Sequence, residues 1–371
     1  MIHDPAVPRR DALLRPETMA GVVSQRLRDG VPVERCERRY VKYRAGESLR
    51  VVYRCDGEWV AARTGRRDGV AAPEVGAALY PFPHDRKLDL AAVGRTLDAG
   101  VTPHLVAWAA EQSATFECRD TSGHVLAYAR VQPDAAPWPA FGAVRAPRVL
   151  RAEAGVLLLE ALEGVRLDRA AGQGLAALGA ALAQLHAAAL GFTLPRFTRA
   201  DPERLDTAAE VIARVRPDVA PAAQRLLARL LDRAEAREPV LIHGDANLRN
   251  ALLTADGTVA LLDLEDLSLG PAAADLGQVL AGLIVDRTPH AARALLSGYG
   301  DPPDAAALRW HTAAALLARQ ALPAVSRHRP VLLARLRELL DAGSALLAAK
   351  AVAASSPRCC STASTASGSG T

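Results

Sequence analysis

Lysine is nearly missing from this chain. Lys42, Lys87 and Lys350 are the only lysines among 45 cationic residues in 371, and arginine supplies the rest. The net charge of +4 is spread along the sequence. Arginine-rich stretches such as Arg35 to Arg39 lack aromatics interleaved at a defined spacing, so no nucleic-acid partner is expected. Aromatic residues amount to 4%, which leaves Leu, Val and Ala to build the cores. No apolar run approaches the roughly 18–20 residues of a membrane span. Met1-Ile2-His3-Asp4-Pro5 opens without a signal-peptide core. Cys36, Cys55, Cys118, Cys359 and Cys360 have no metal-ligand spacing. The expectation is a reduced, cytoplasmic protein with no membrane partner. Three chemistries also lack their marks. Nothing fits the phosphate loop Gly-x4-Gly-Lys-Ser/Thr, no serine sits in a nucleophile elbow, and no two histidines share a helix face at metal-ligand spacing.

Phosphoryl transfer does have its marks, between residues 239 and 266. Pro239-Val240-Leu241-Ile242 reads as a short buried strand. It leads into His243-Gly244-Asp245-Ala246-Asn247-Leu248-Arg249-Asn250. Two further apolar runs, Ala251-Leu252-Leu253 and Val259-Ala260-Leu261-Leu262, flank Asp256-Gly257, a hairpin signal because both residues tolerate positive φ. The hairpin returns Asp263 to the neighbourhood of Asn250. Asp245 and Asn250 are separated by four residues, the spacing in which a kinase loop uses an Asp for the hydroxyl proton and an Asn for a metal. Mg²⁺ takes hard oxygen ligands and keeps phosphate oxygens in its shell. One amide oxygen and one carboxylate suit it, and Asp245 is then free to deprotonate an attacking hydroxyl.

These residues, with Leu262-Asp263-Leu264-Glu265-Asp266 and Gly270-Pro271-Ala272-Ala273-Ala274-Asp275-Leu276, resemble the aminoglycoside phosphotransferase and choline kinase family. The resemblance is carried by 241–280, extends in part over 156–190 and fades upstream. It implies an α+β, protein-kinase-like two-lobe fold, with a small, mainly-β N-terminal lobe and a larger, mainly helical C-terminal lobe. It implies Asp245 as catalytic base, Asn250 and Asp263 as Mg²⁺ ligands, and ATP as co-substrate. The acceptor would be a hydroxyl of a small molecule: an aminoglycoside, an amino alcohol or a sugar. Asp275 matches a residue that braces the loop; by residue type alone it is an N-cap for the apolar helix Leu276 to Val285. His243 is expected to support the loop through hydrogen bonds. Glu160-Ala161-Leu162-Glu163-Gly164 resembles the connector whose backbone groups bind adenine, so Glu160 and Leu162 are the expected contacts. Glu265 and Asp266 either widen an acidic cleft, which favours a cationic acceptor, or only solvate the loop.

The resulting division is an N-terminal extension over 1–30, a nucleotide-binding lobe over 31–160, a catalytic and substrate lobe over 161–350, and a disordered tail over 351–371. Arg50 to Cys55 and Glu58 to Arg63 form a hairpin around Asp56-Gly57; Thr115 to Cys118 and His124 to Val131 form another around Ser122-Gly123. Helices are expected over 17–28, along the leucine stripe 175, 178, 182, 185 and 190, from Pro202 behind an Asp201 cap, from Pro221, and over 274–285, 288–297, 304–321 and 330–350. His186, on the leucine helix, reads as a core histidine with a hydrogen-bond partner. The difficulty is the small lobe, where kinase-like folds carry a phosphate-gripping lysine paired with a helix glutamate. Arg130 is the best-placed cation, Arg63 the runner-up, and Lys42 lies early. Pro133, Pro137, Pro139 and Pro147 leave little room for a long helix with a pairing glutamate. That gap supports the alternative of a pseudokinase-like nucleotide- or ligand-binding module without turnover.

Overall fold

Two five-stranded antiparallel sheets follow one another in the first 160 residues of the computed structural model. It describes residues 4–133, 136–138, 144–153, 155–170, 172–189, 193–232 and 238–348. The first sheet contains β1 (Cys36–Arg44), β2 (Ser48–Cys55), β3 (Glu58–Thr64), β4 (Val70–Ala72) and β5 (Ala77–Pro81). The second contains β6 (Thr102–Ala109), β7 (Ser113–Arg119), β8 (Val125–Val131), β9 (Val149–Glu153) and β10 (Val156–Glu160). The spatial orders are β1-β2-β3-β5-β4 and β6-β7-β8-β10-β9, so the two sheets share one topology. The β2–β3 turn is the one Asp56-Gly57 announces, with φ of 48° and 93°.

Sidedness explains the sequence pattern of the first sheet. Along β2, Leu49, Val51 and Tyr53 point into a core shared with Ile212, Leu226, Leu316 and Leu336 of the helical half. Val52, with Trp59, Ala61 and Tyr80, points into a second core shared with Phe116, Ala129 and Val131 of the second sheet. A strand buried on both faces reads as a continuous apolar run rather than an alternating one. Each fully buried Val or Leu contributes about 1.5–3 kcal/mol, so the first sheet is bonded to both its neighbours by packing.

The second half is helical, with Leu175–His186, Pro202–Val215, Ala220–Leu231, Ala272–Val285, Ala292–Tyr299, Ala305–Ala315 and Leu336–Ala348 as its main elements. Leu178, Leu182 and Leu185 of the leucine stripe pack on Leu241, Val259, Leu261 and Leu276; Leu190 lies outside the described residues, as do 349–371 and the tail expected there. The helix expected over 304–321 is instead a helix capped by Asp304 (to the Ala306 and Ala307 N–H groups, 2.8 Å each), a π-helical turn Leu316–Ala321 and a short helix Leu322–Ser326. That expected over 330–350 breaks at Arg335. Pro202 begins its helix, but the Asp201 carboxylate makes no cap and turns to Arg196 at 3.4 Å.

Candidate active site

Strand Val240–Ile242, paired with Ser268–Gly270, delivers His243 to Asp245 onto a loop braced from beneath. The brace is Asp275, fully buried in the first turn of helix Ala272–Val285. Its carboxylate accepts the His243 N–H at 2.7 Å, the Gly244 N–H at 3.0 Å and His186 Nε2 at 3.1 Å. Burial works to raise the Asp275 pKa, but the His186 hydrogen bond, the electrostatic pull of His186 and His243, and the loop N–H bond hold it below the usual carboxylate range. Asp275 is therefore not the N-cap its residue type suggests; Pro271 occupies that position. His186 is held between Asp275 and the Tyr299 hydroxyl at 2.9 Å. Gly244, at φ 76°, cannot be replaced without strain, because a Cβ there would collide with the Asp266 carbonyl.

The loop and the hairpin behind it form one hydrogen-bonded unit. His243 Nε2 donates to the Leu262 carbonyl at 2.9 Å, and the Leu262 N–H donates to the Asn250 carbonyl at 2.8 Å. The hairpin continues through Ala251↔Leu261 to Leu253↔Val259. Its turn is tied by Asp256, which accepts from Thr254 Oγ1 at 2.6 Å and Thr258 Oγ1 at 2.7 Å; these bonds pull the Asp256 pKa down. Asn250 Nδ2 donates to the Asp245 carbonyl at 3.0 Å and to its carboxylate at 3.4 Å. Asp263 adopts a left-handed backbone, φ 61° and ψ 56°, a conformation uncommon outside glycine and often found at functional sites. Asp245, Asn250 and Asp263 are thus gathered as the spacing implied.

Magnesium fits this unit by its chemistry. The Asn250 amide nitrogen is committed to Asp245, while no hydrogen bond to Asn250 Oδ1 is made among the described residues. That oxygen and the Asp263 carboxylate, with 38% of the side chain exposed, are the one or two hard protein ligands that Mg²⁺ takes alongside phosphates and water. No cluster of three His, Cys, Asp or Glu able to hold a metal alone occurs among the described residues.

Arg130 descends on this unit from β8. Its Nε and Nη2 each stand 2.9 Å from a Glu265 oxygen, and Nη2 lies 3.5 Å from Asp263 Oδ1. With its amide nitrogen turned toward Glu265, Gln132 donates to both carboxylate oxygens, at 2.9 and 3.1 Å. Burial, reinforced by Asp263 and Asp266 against the pull of Arg130, pushes the Glu265 pKa up to about 7. Arg63 is elsewhere, on β3, with Nη1 3.0 Å from Glu111. Glu160 ends β10, its N–H donating to the Arg148 carbonyl at 2.9 Å and its carboxylate 3.1 Å from Arg148 Nε; Leu162 follows, half-buried, in the connector. Among the described residues of 132–148 there is no helix.

Sequence reasoning missed two arginines. Arg319, in the π-helical turn, pairs with the Asp245 carboxylate, and Arg199 pairs with Asp266 while lying 3.9 Å from Asp245. The acidic cleft, one of the two roles open to Glu265 and Asp266, is neutralised: Asp245, Asp266 and Glu265 all face guanidinium groups. The one available signal was Arg319 itself, a cation inside the apolar stretch Ala313 to Leu322, where burial demands an ionic partner.

The sequence profile of APH, the phosphotransferase enzyme family, matches residues 125–311, about half of the chain. No curated protein matches. Among solved structures, a choline kinase from Cryptosporidium parvum Iowa II is 11% identical with a TM-score of 0.51, over 69% of this chain and 92% of its own. An AMP-bound spectinomycin phosphotransferase is 13% identical with a TM-score of 0.50, over 69% of this chain and 98% of its own. At these identities the likeness is one of fold, a two-lobe kinase-like architecture with a β-rich N-terminal region and a helical C-terminal region.

Proposed function

This chain belongs to the phosphotransferase enzyme family, and on that premise we propose that it moves the γ-phosphate of ATP, presented with Mg²⁺, onto a hydroxyl of a small molecule. The observation that carries the reading is the single hydrogen-bonded unit holding Asp245, Asn250 and Asp263 beneath Arg130. Asp245 orients the acceptor hydroxyl and takes its proton. The acceptor oxygen bonds to the γ-phosphorus as the bond to the β,γ-bridging oxygen breaks, and the electron pair leaves with ADP. Arg130 holds phosphate oxygens, and the backbone at Glu160 and Leu162 meets the adenine. Asn250 and Asp263 would hold magnesium, which when bound neutralises phosphate charge. The AMP bound in the spectinomycin phosphotransferase agrees with an adenine nucleotide as donor. The reading places the activity in the cytoplasm; no helix among the described residues is long and apolar enough to cross a membrane.

The test is ATP consumption across amino sugars, amino alcohols, simple sugars and hydroxy acids, with and without Mg²⁺. Turnover that survives magnesium removal, or that is unchanged by Asp245→Asn, would refute the assignment. One observation favours a second reading, a nucleotide-binding module without turnover: Arg319 occupies the carboxylate that must accept the proton. Nucleotide binding with no consumption on any acceptor would establish it.

A further inference from the structure

On the side of Asp245 away from Arg130, arginines outnumber the carboxylates that answer them. Arg319 and Arg199 share Asp245 and Asp266 between them. The turn 327–329 follows the π-helical turn along the chain, joins helices Leu322–Ser326 and Pro330–Ala334, and carries Arg327 and Arg329, both near enough to act electrostatically on Arg319. This turn is built rather than loose. The Arg329 N–H donates to the Ala324 carbonyl at 2.9 Å, His328 is held at φ 45°, and Arg38 of β1 reaches both the His328 ring and its carbonyl at 3.4 Å. Neither Arg327 nor Arg329 has an ion-pair or hydrogen-bonding side-chain partner among the described residues. Burial and the like charges of Arg199, Arg327 and Arg329 push the Arg319 pKa down to about 9. Burial, with Arg327 and Arg249, pushes Arg329 down to about 10.

A fold does not gather like charges, most of them part-buried, without cost. Each desolvated guanidinium loses hydration, and each neighbour of the same sign adds repulsion that two carboxylates cannot offset. The π-helical turn that aims Arg319 at Asp245 is a distortion frequent at functional sites. What is missing from the arrangement is negative charge. Arg130 already serves the nucleotide side from the opposite lobe, so these cations face the acceptor.

We propose that the acceptor is an anion, a hydroxyl compound bearing a carboxylate or phosphate group that seats on Arg327, Arg329 and Arg319 while its hydroxyl meets Asp245. This rests on the kinase reading above and narrows it. An anionic acceptor competes with Asp245 for Arg319 and so frees the carboxylate that must take the proton. A cationic acceptor would set its charge against three arginines and find the nearby carboxylates already paired.

The experiment separates the two layers. Calorimetry first measures Mg²⁺–AMP-PNP binding by the full chain, which tests the kinase reading alone. Inorganic phosphate is then titrated at low ionic strength, with AMP-PNP saturating so that nucleotide phosphate sites are filled, and also without nucleotide. The expected result is phosphate binding in both states, weakened roughly tenfold or more by Arg327→Ala and by Arg329→Ala, with the AMP-PNP affinity kept. Arg327 is exposed, so its variant is not at risk of misfolding. Phosphate that does not bind, or binds equally to both variants, overturns the inference even if AMP-PNP binds well. So does choline or kanamycin binding to the wild type that both variants leave unchanged. Phosphate binding lost in the variants of a chain that ignores AMP-PNP would retain the anion site and defeat the kinase reading.

Discussion

The two N-terminal sheets run in the same order and put an arginine at the same place. Arg63 is the sixth of seven residues in β3, and Arg130 the sixth of seven in β8. Each meets a glutamate from the layer it faces, Glu111 for Arg63 and Glu265 for Arg130. The difference lies in what that layer is. β3 faces the second sheet, where Arg50, Arg63 and Arg86 crowd around Glu111 of the β6–β7 turn at 3.1, 3.0 and 3.5 Å. β8 faces the catalytic loop and hairpin, where Arg130 stands 3.5 Å from Asp263. Strand order is shared, so what distinguishes the second sheet is the acidic, turn-built unit opposite it. The family profile agrees with this division, since its match begins at residue 125, where β8 starts.

The largest effect should come from removing what only the second sheet faces. Asp245→Asn is expected to lower turnover by about 10²–10⁴-fold, the usual weight of a general base, while leaving AMP-PNP affinity nearly unchanged in calorimetry. Asp263→Ala should abolish the Mg²⁺ dependence of nucleotide binding.

Next comes the brace. Asp275→Asn should cost about 3–5 kcal/mol, the range for breaking a buried charged network. The sign with pH follows from a folded pKa held below 3.8. The stabilising contribution is complete above the unfolded value and is lost as pH falls through the folded one. Urea denaturation should therefore show a large gap between wild type and variant at pH 7 that narrows in strong acid. A gap that widens in acid would contradict the brace.

What could be read from the sequence was local. The strand, loop and hairpin of 240–263 were legible because their turn and residue spacing are local and Asp-Gly turns carry their own backbone preference, although the Asp275 brace lies 32 positions beyond His243. The leucine stripe was legible for the same reason. The separation of residues 36–160 into two sheets was not, because hairpins look alike in sequence and only long-range pairing decides which join. Nor were the side-chain destinations of Asp275, which a tertiary partner drew from the cap, and of Asp201, which turns to Arg196 five positions away. Arg319 meets Asp245 from 74 positions away, and the π-helical turn that places it leaves no mark on an Ala- and Leu-rich stretch. The place of Arg130 ahead of the connector was legible, but its Glu265 partner was not. Glu265 comes from the segment just past Asp263, not from a helix of the small lobe.

Two arginine substitutions sharpen the comparison directly. Arg130→Ala should raise the ATP KM roughly tenfold, the equivalent of about 1.4 kcal/mol, with kcat less affected; an unchanged KM would mean that the second sheet grips nothing. Arg63→Ala is the matching change in the first sheet, and its kinetic effect should be the smallest of all. The Glu111 carboxylate, 8% exposed, keeps Arg50 and Arg86 when Arg63 is lost, so no buried charge is stranded. The cost should be one charge-assisted hydrogen bond, about 1–3 kcal/mol of stability in denaturant unfolding, and no change in ATP KM. Because the first sheet packs on both the second sheet and the helices, a loosened Arg63 contact is spread over two cores and does not reach Asp263. If Arg63→Ala raised the ATP KM as much as Arg130→Ala, the two sheets would be acting as one grip, and the assignment of the site to the second alone would fail.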